Sequence, residues 1–205
     1  MPAMRTAKDK IIARIRRCGP GAALTPKDFL DIASRGTVDM TLTALIADGT
    51  IRRLARGLYD YPRYSKLLEQ MTAPDLDAVA QALARRYRWT IIPAGPMAAN
   101  LLGLSTQVPA RAVYISNGPT KTIAIGKRRI HFKNARPKET GVASVRAGGV
   151  IQALRHLGQR AVDKAVIRKL REILGAKDRR ELLRDARQSA DWIYAVARAI
   201  ADGDR

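Results

Sequence analysis

The stretch Ser34–Tyr64, SRGTVDMTLTALIADGTIRRLARGLYDYPRY, governs how the whole chain is read. Val38, Leu42, Leu45 and Ile46 recur at helical spacing and share one face, so they predict an amphipathic helix with that face buried. Ser34 or Thr37 can cap its start, because a hydroxyl accepts from the orphan N–H groups of a first turn. Gly49 closes it. Ile51–Leu54 then alternates as a short strand, Ala55-Arg56-Gly57 turns, and Leu58–Tyr61 returns before Pro62. A helix followed at once by a tight basic hairpin is the closing half of a winged helix-turn-helix.

The outer face of that helix carries Gly36, Met40, Thr43, Ala44 and Ala47, with Thr37 at its margin and Arg35 just ahead of the first turn. Small or polar residues let a helix approach a major groove closely. Arg52, Arg53 and Arg56 lie on or beside the wing, within reach of phosphates or a minor groove. The expected DNA contacts are therefore Arg35, Thr37, Met40 and Thr43 from the helix and Arg52, Arg53 and Arg56 from the wing. A solvated helix face with a solubilising hairpin is the competing reading of the same residues.

The flanking residues complete the unit. Residues 5–18 predict a first helix with Ile11, Ile12, Ile15 and Cys18 on one side, the cysteine as a small core residue, and Gly19-Pro20-Gly21 ends it. Ala23-Leu24 can pair with the wing. Thr25-Pro26-Lys27-Asp28 is a helix start, with Thr25 as cap, proline in the first turn and an acid near the positive dipole end. Phe29, Leu30 and Ile32 supply the apolar contacts of this second helix.

Composition agrees with a polyanionic partner. The 205 residues include 38 Lys+Arg against 18 Asp+Glu, a net charge of +20. The excess is spread out, at +6 over residues 1–64, +8 over 65–140 and +6 over 141–205, so it is no detachable tail. Nucleic acid is the commonest partner of such a surface, ahead of a membrane surface or an acidic protein. With 46% hydrophobic residues the chain can bury a core and is not disordered in composition. A single cysteine excludes an intrachain disulfide and suits a reducing, cytoplasmic setting. No apolar run approaches a membrane span, and charges at Arg5, Lys8, Asp9 and Lys10 do not fit a signal peptide.

At Thr25–Phe29 and Ile51–Pro62 the sequence resembles the AbiEi-like antitoxins of bacterial type IV toxin–antitoxin systems. Arg56-Gly57-Leu58-Tyr59 followed by Pro62 is similar to the wing of their N-terminal winged helix. Residues Ala98–Pro109 (AANLLGLSTQVP) and Arg136-Pro137-Lys138 are similar to the second domain of that group. The resemblance implies a repressor of its own operon that binds double-stranded operator DNA. It also implies a C-terminal domain that counteracts a nucleotidyltransferase toxin without a necessary tight complex. One winged helix reads few base pairs, so inverted repeats and a homodimer on DNA are expected.

Residues 65–74 read as a connector. Asp75 caps a helix in which Leu76, Val79, Ala80, Leu83 and Tyr87 recur, and Arg85, Arg86 and Arg88 suit its negative end or contact nucleic acid. Strands follow near 89–92, 112–116, 120–125 and 129–133, around the turn signals Asn117-Gly118-Pro119 and Gly126-Lys127-Arg128. Lys121, Lys127, Arg128, Arg129 and Lys133 make a second basic feature. Alternation sets Ile130 and Phe132 against Arg129, His131 and Lys133. This is either a solvated sheet face or a second nucleic-acid surface. From about Gly149 apolar stripes predict helices to about residue 202. The expected architecture is α+β: a winged helix-turn-helix over 1–64, then a small mixed α/β domain over 65–205 with a C-terminal helical segment.

Catalytic chemistry is not visible. His131, His156 and Cys18 lie in different elements and give neither a metal quartet nor a Cys–His pair. No phosphate-binding or dinucleotide fingerprint occurs. The expectation is a protein that is not an enzyme and carries no metal or cofactor. The alternative to the regulator is a basic interaction module that holds RNA or an acidic protein.

Overall fold

Thr6 and Asp9 open the first helix by capping each other. The Thr6 hydroxyl accepts from the Asp9 N–H, and the Asp9 carboxylate accepts from the Thr6 N–H. Helix α1 (Ala7–Cys18) then runs to Gly19, whose φ of +79° turns the chain away. The computed structural model describes residues 6–109, 111–135 and 144–202. It divides into two compact units: one runs to Trp89 and includes Ile125–Lys127, and the other holds Thr90–Ala124 with the chain from Arg128 onward.

In the first unit α1 is followed by β1 (Ala23–Leu24), a 3-10 turn (Pro26–Phe29), α2 (Arg35–Ala47), β2 (Arg52–Ala55) and β3 (Leu58–Asp60). The three strands form an antiparallel sheet in the order β1-β3-β2, with Ala23 opposite Asp60 and Arg53 opposite Tyr59. This is a winged helix-turn-helix. Its second helix is reduced to the one 3-10 turn, and Leu30, expected inside it, is exposed. Ile11, Ile15, Leu24, Phe29, Val38, Leu42, Leu45 and Ile51 form the core, all at most 3% exposed. Each such side chain contributes on the order of 1.5–3 kcal/mol through burial. Cys18 is exposed and not part of this core, because α1 ends at it and Gly19 carries the chain off the apolar stripe.

Beyond the wing the chain does more than connect. Tyr64–Ser65 (β4) and Gln70–Met71 (β5) pair as a small hairpin, and α3 (Leu76–Tyr87) starts where the Asp75 carboxylate accepts from the N–H groups of Asp77 and Ala78. Leu76, Val79, Ala80 and Leu83 are buried along α3, which lies against β1 and β3. The first unit therefore extends about one helix past residue 64, the end expected from sequence. Hydrogen bonds from the far end of α3 back to the wing account for the extension.

The second unit is built on β6 (Ile91–Ala94), β7 (Arg111–Ser116), β8 (Lys121–Ile125) and β9 (Arg128–Asn134), with α4 (Pro96–Leu101) between the first two. Strand order is β6-β7-β9-β8, with β6 antiparallel and β9 parallel to β7. Among the described residues four α-helices follow: α5 (Val145–Leu157), α6 (Lys164–Ile173), α7 (Ala176–Ala186) and α8 (Asp191–Asp202). Helix α5 begins four residues before the expected Gly149, capped by the Ser144 hydroxyl. Gly148 and Gly149 sit inside it, and a Cβ on Gly149 would stand 3.5 Å from Pro93 Cγ, so the bare backbone lies close to β6. Leu154, Leu170, Leu182, Ile193 and Ile200 join the helices in a fully buried core. The motif residues Arg136, Pro137 and Lys138 lie outside the described residues.

Candidate nucleic-acid interface

The Ser34 hydroxyl caps α2, accepting from the Thr37 N–H at 3.4 Å, while the two hydroxyls lie 3.0 Å apart. Burial of Val38, Thr41, Leu42 and Leu45 fixes the rotation of the helix. Arg35, Gly36, Met40, Thr43, Ala44 and Ala47 consequently face solvent, and Met40 is 69% exposed. Thr37 is half-buried at the cap, and the Thr43 hydroxyl donates to the Asp39 carbonyl at 2.8 Å. Arg35 pairs with Asp39 one turn along at 2.8 Å. An anion approaching Arg35 must take it from Asp39, an acid that helical spacing alone does not single out. A carboxylate in that place can also accept from a cytosine amino group.

The three wing arginines separate into two kinds. Arg52 makes a two-pronged pair with Asp60, at 3.0 Å from Nε and 2.6 Å from Nη2, and donates again to the Thr72 carbonyl. The Asp60 side chain is 3% exposed. Its hydrogen bond to the guanidinium raises the Arg52 pKa further above its usual range. Arg52 is thus committed to holding Asp60 and the Thr72 carbonyl, a structural role that the phosphate contact expected of it did not include. Its cross-strand partner sits directly opposite in the hairpin register. Arg53 and Arg56, in contrast, are exposed, and among the described residues neither side chain has an ion pair or hydrogen bond.

The wing tip is held from behind. Arg86, near the end of α3, donates through Nη1 to the carbonyls of Arg56 at 3.0 Å and Gly57 at 3.2 Å. Its neighbour Arg85 donates to Asp28 and to the Ala23 carbonyl, both at 3.1 Å, and Lys27 donates to the Arg86 carbonyl at 2.8 Å. Gly57 has φ +68°, and a Cβ there would stand 3.2 Å from Arg86 Nη1. The cations at the end of α3 therefore clamp the hairpin. Spacing along the chain offers no sign of it, because the partners lie some 30 and 57 residues away. A second clasp joins Arg14 to Asp31 at 2.6 and 2.7 Å, and its hydrogen bonds lower the Asp31 carboxyl below the usual range. Asp48 is lowered likewise by hydrogen bonding from the Thr50 side chain and from the Thr50 N–H, which donates to its carboxylate.

The residues expected to form another basic surface are differently placed. Lys127 groups with the first unit, and Lys121 and Arg128 have interactions of their own. Arg129 and Lys133 do share the exposed side of β9 with His131, while Ile130 and Phe132 are buried on the other. Among the described residues no three His, Cys, Asp or Glu side chains gather to hold a metal ion. Among them, too, no helix is long and apolar enough to cross a membrane.

A recognition-type helix with a small, exposed outer face, followed by an arginine-tipped hairpin, defines the class: a winged helix-turn-helix protein with an appended α+β unit. The chain belongs to the family of unknown function DUF6088, whose model matches residues 10–182. That match takes in most of both units. No curated protein matches the sequence. Among solved structures the chain is similar to the RV2827C protein from Mycobacterium tuberculosis. The identity is 15% and the TM-score 0.43, over 97% of this chain and 78% of the other.

Proposed function

We propose that this protein is a DNA-binding transcriptional repressor, and that it serves as the antitoxin of a type IV toxin–antitoxin system. One observation carries the DNA-binding part: Arg53 and Arg56 stand unpaired among the described residues, at a wing whose tip is clamped by Arg86, beside the open face of α2. A rigid hairpin offering two uncommitted cations suits phosphate contacts, which supply most of the affinity of such a module. Met40, Thr43 and Arg35 then select bases, with Thr37 at the cap holding the helix end. The antitoxin part rests on the resemblance of Thr25–Phe29, Ile51–Pro62 and Ala98–Pro109 to the AbiEi-like group. In this reading the protein is cytoplasmic, needs no cofactor and catalyses no reaction. It binds inverted repeats as a homodimer and counteracts a nucleotidyltransferase toxin.

The test is an anisotropy titration against the DNA upstream of its own gene, with scrambled competitor, at two salt concentrations. Specific binding that survives competitor is expected. In R53A/R56A binding should weaken, and the salt slope should flatten by about 1.8, at about 0.9 for each phosphate no longer neutralised. Salt-sensitive binding indifferent to sequence would defeat the repressor reading. Co-expression with the toxin tests the other part: growth arrest that this protein does not relieve would remove the antitoxin role and leave DNA binding standing.

A further inference from the structure

Strand β9 runs parallel to β7, with Arg111 opposite Arg129, Val113 opposite His131 and Ile115 opposite Lys133. Register partners in a sheet point to the same side, so Arg111, Arg129, His131 and Lys133 share one face. The other face is fixed in the core, where Tyr114, Ile130 and Phe132 are fully buried and the rings of Tyr114 and Phe132 lie 5.9 Å apart. The strand therefore cannot roll to hide its cations. Arg111, Arg129 and Lys133 are exposed. The His131 ring is anchored, its Nδ1 lying 2.8 Å from the Thr122 hydroxyl on β8.

Two arginines directly opposite one another are destabilising unless something negative lies between or above them. Nothing in the sheet supplies it. No Asp or Glu occurs between Asp77 and Glu139, so none of the four strands carries a carboxylate. Among the described residues Arg111, Arg129 and Lys133 have no ion pair. Elsewhere the chain places acids on its arginines, as in Arg14–Asp31, Arg52–Asp60, Arg85–Asp28 and Arg146–Asp178. The bare cations are a local property of this face.

We propose that this face binds a single strand of nucleic acid through its phosphate backbone. Residues two apart on a strand repeat at about 6.6 Å, and neighbouring strands stand about 4.8 Å apart. Arg129 and Lys133, four residues apart along β9, therefore stand about 13 Å apart with Arg111 beside the first, a short cationic track on the scale of every second phosphate in an extended strand. On the same side Ile115 and its β6 partner Ile92 are buried, so the open part of the face is the stretch around β9. A sheet face does not enter a duplex groove, which admits a helix or a two-stranded ribbon. A single strand can lie across a sheet, its phosphates on cations and a base against an anchored ring such as His131. The site is independent of the winged-helix reading, and either can fail alone.

The experiment uses the full chain, stripped of co-purified nucleic acid at high salt. Anisotropy is measured with a labelled oligo-uridine strand, an oligo-deoxythymidine strand of equal length, and a duplex. R111Q/R129Q should weaken single-strand binding on the order of tenfold and reduce the salt slope by about 1.4, at about 0.7 per phosphate. Its binding to the duplex should be unchanged, and its thermal midpoint unchanged or raised, since a like-charge pair is gone. R53A/R56A should do the converse. Tighter binding of uridine would name RNA as the natural source of the strand, and equal or tighter binding of deoxythymidine would name single-stranded DNA. Either supports the proposal. Unchanged single-strand binding in folded R111Q/R129Q overturns it. So does an equal loss on the duplex, which would make the face an extension of the DNA footprint, and so does displacement of the strand by polyglutamate at lower charge concentration. Should the double variant not fold, K133Q read against the same three probes decides the matter.

Discussion

The arginines of the winged helix and those of the second unit's sheet are the same side chain put to opposite uses. In the first unit Arg14, Arg52, Arg85 and Arg86 point inward or along the surface and donate to Asp31, Asp60, Asp28 and the carbonyls of the wing. They are fasteners. On the sheet Arg111 and Arg129 stand side by side with no acid on any strand. A net charge of +20 is therefore not a map of binding surfaces. What separates a fastener from a contact is whether an acceptor already fills the guanidinium's fork.

Removing a fastener should give the largest effect. Arg52→Ala leaves the Asp60 carboxylate buried without its partner. Loss of one member of a buried pair costs about 3–5 kcal/mol, and the partial exposure of Arg52 brings the expectation to about 2–3 kcal/mol. Urea unfolding measures it, and DNA binding by the folded fraction should be unchanged. A variant with full stability and weakened DNA binding would make Arg52 a contact after all. Next in size is Gly57→Ala, which forces a left-handed residue at about 1–2 kcal/mol and presses a methyl group towards Arg86. It should both lower stability and loosen the wing, seen as faster amide exchange at Arg56–Leu58.

Arg86→Met removes the clamp while keeping an apolar stem over Tyr87, whose ring the guanidinium overlies at 5.3 Å. About 1 kcal/mol of stability should be lost. DNA affinity should fall with little change in salt slope, because Arg86 positions the wing and does not itself meet phosphate. A slope that flattens as in R53A/R56A would move Arg86 to the other class. The smallest effect concerns pH. The Asp31 carboxyl is lowered by Arg14, so the clasp stabilises the fold above the ordinary carboxylate range and is lost as pH falls through the folded value. In thermal scans the advantage of the natural chain over Asp31→Asn should be full above the ordinary carboxylate range, near about pH 4, and should fade as the pH falls below it through the lowered Asp31 value. A gap that persists there would mean the clasp works through packing and not charge.

Local signals make the frame legible. Ser34, Gly49 and the Arg56-Gly57 turn mark α2 and the wing, Asp75 marks α3, and Asn117-Gly118 and Gly126 separate β7, β8 and β9. Each is a backbone preference that acts within a few residues. Thr25-Pro26 predicts a longer helix than the 3-10 turn at Pro26–Phe29, because the start signal is genuine while the length is set by packing of Phe29 in the core. The role of Arg52 is within reach of the sequence, since a turn at Arg56-Gly57 puts Asp60 across from it. The clamp from Arg85 and Arg86 is not, because no periodicity links residues so far apart. The parallel pairing of β7 with β9 is equally hidden, and with it the partnership of Arg111 and Arg129.

The clamp also bears on how the chain is made. A polypeptide leaves the ribosome from its N-terminus, and domains form as they emerge. The hairpin at Arg52–Asp60 can pair as soon as it is free, yet Arg86 emerges some 30 residues after the carbonyls it holds. A nascent chain stopped short of α3 would carry a wing with its arginines but without its backing. The winged helix is therefore finished late, by a helix that lies outside it in sequence.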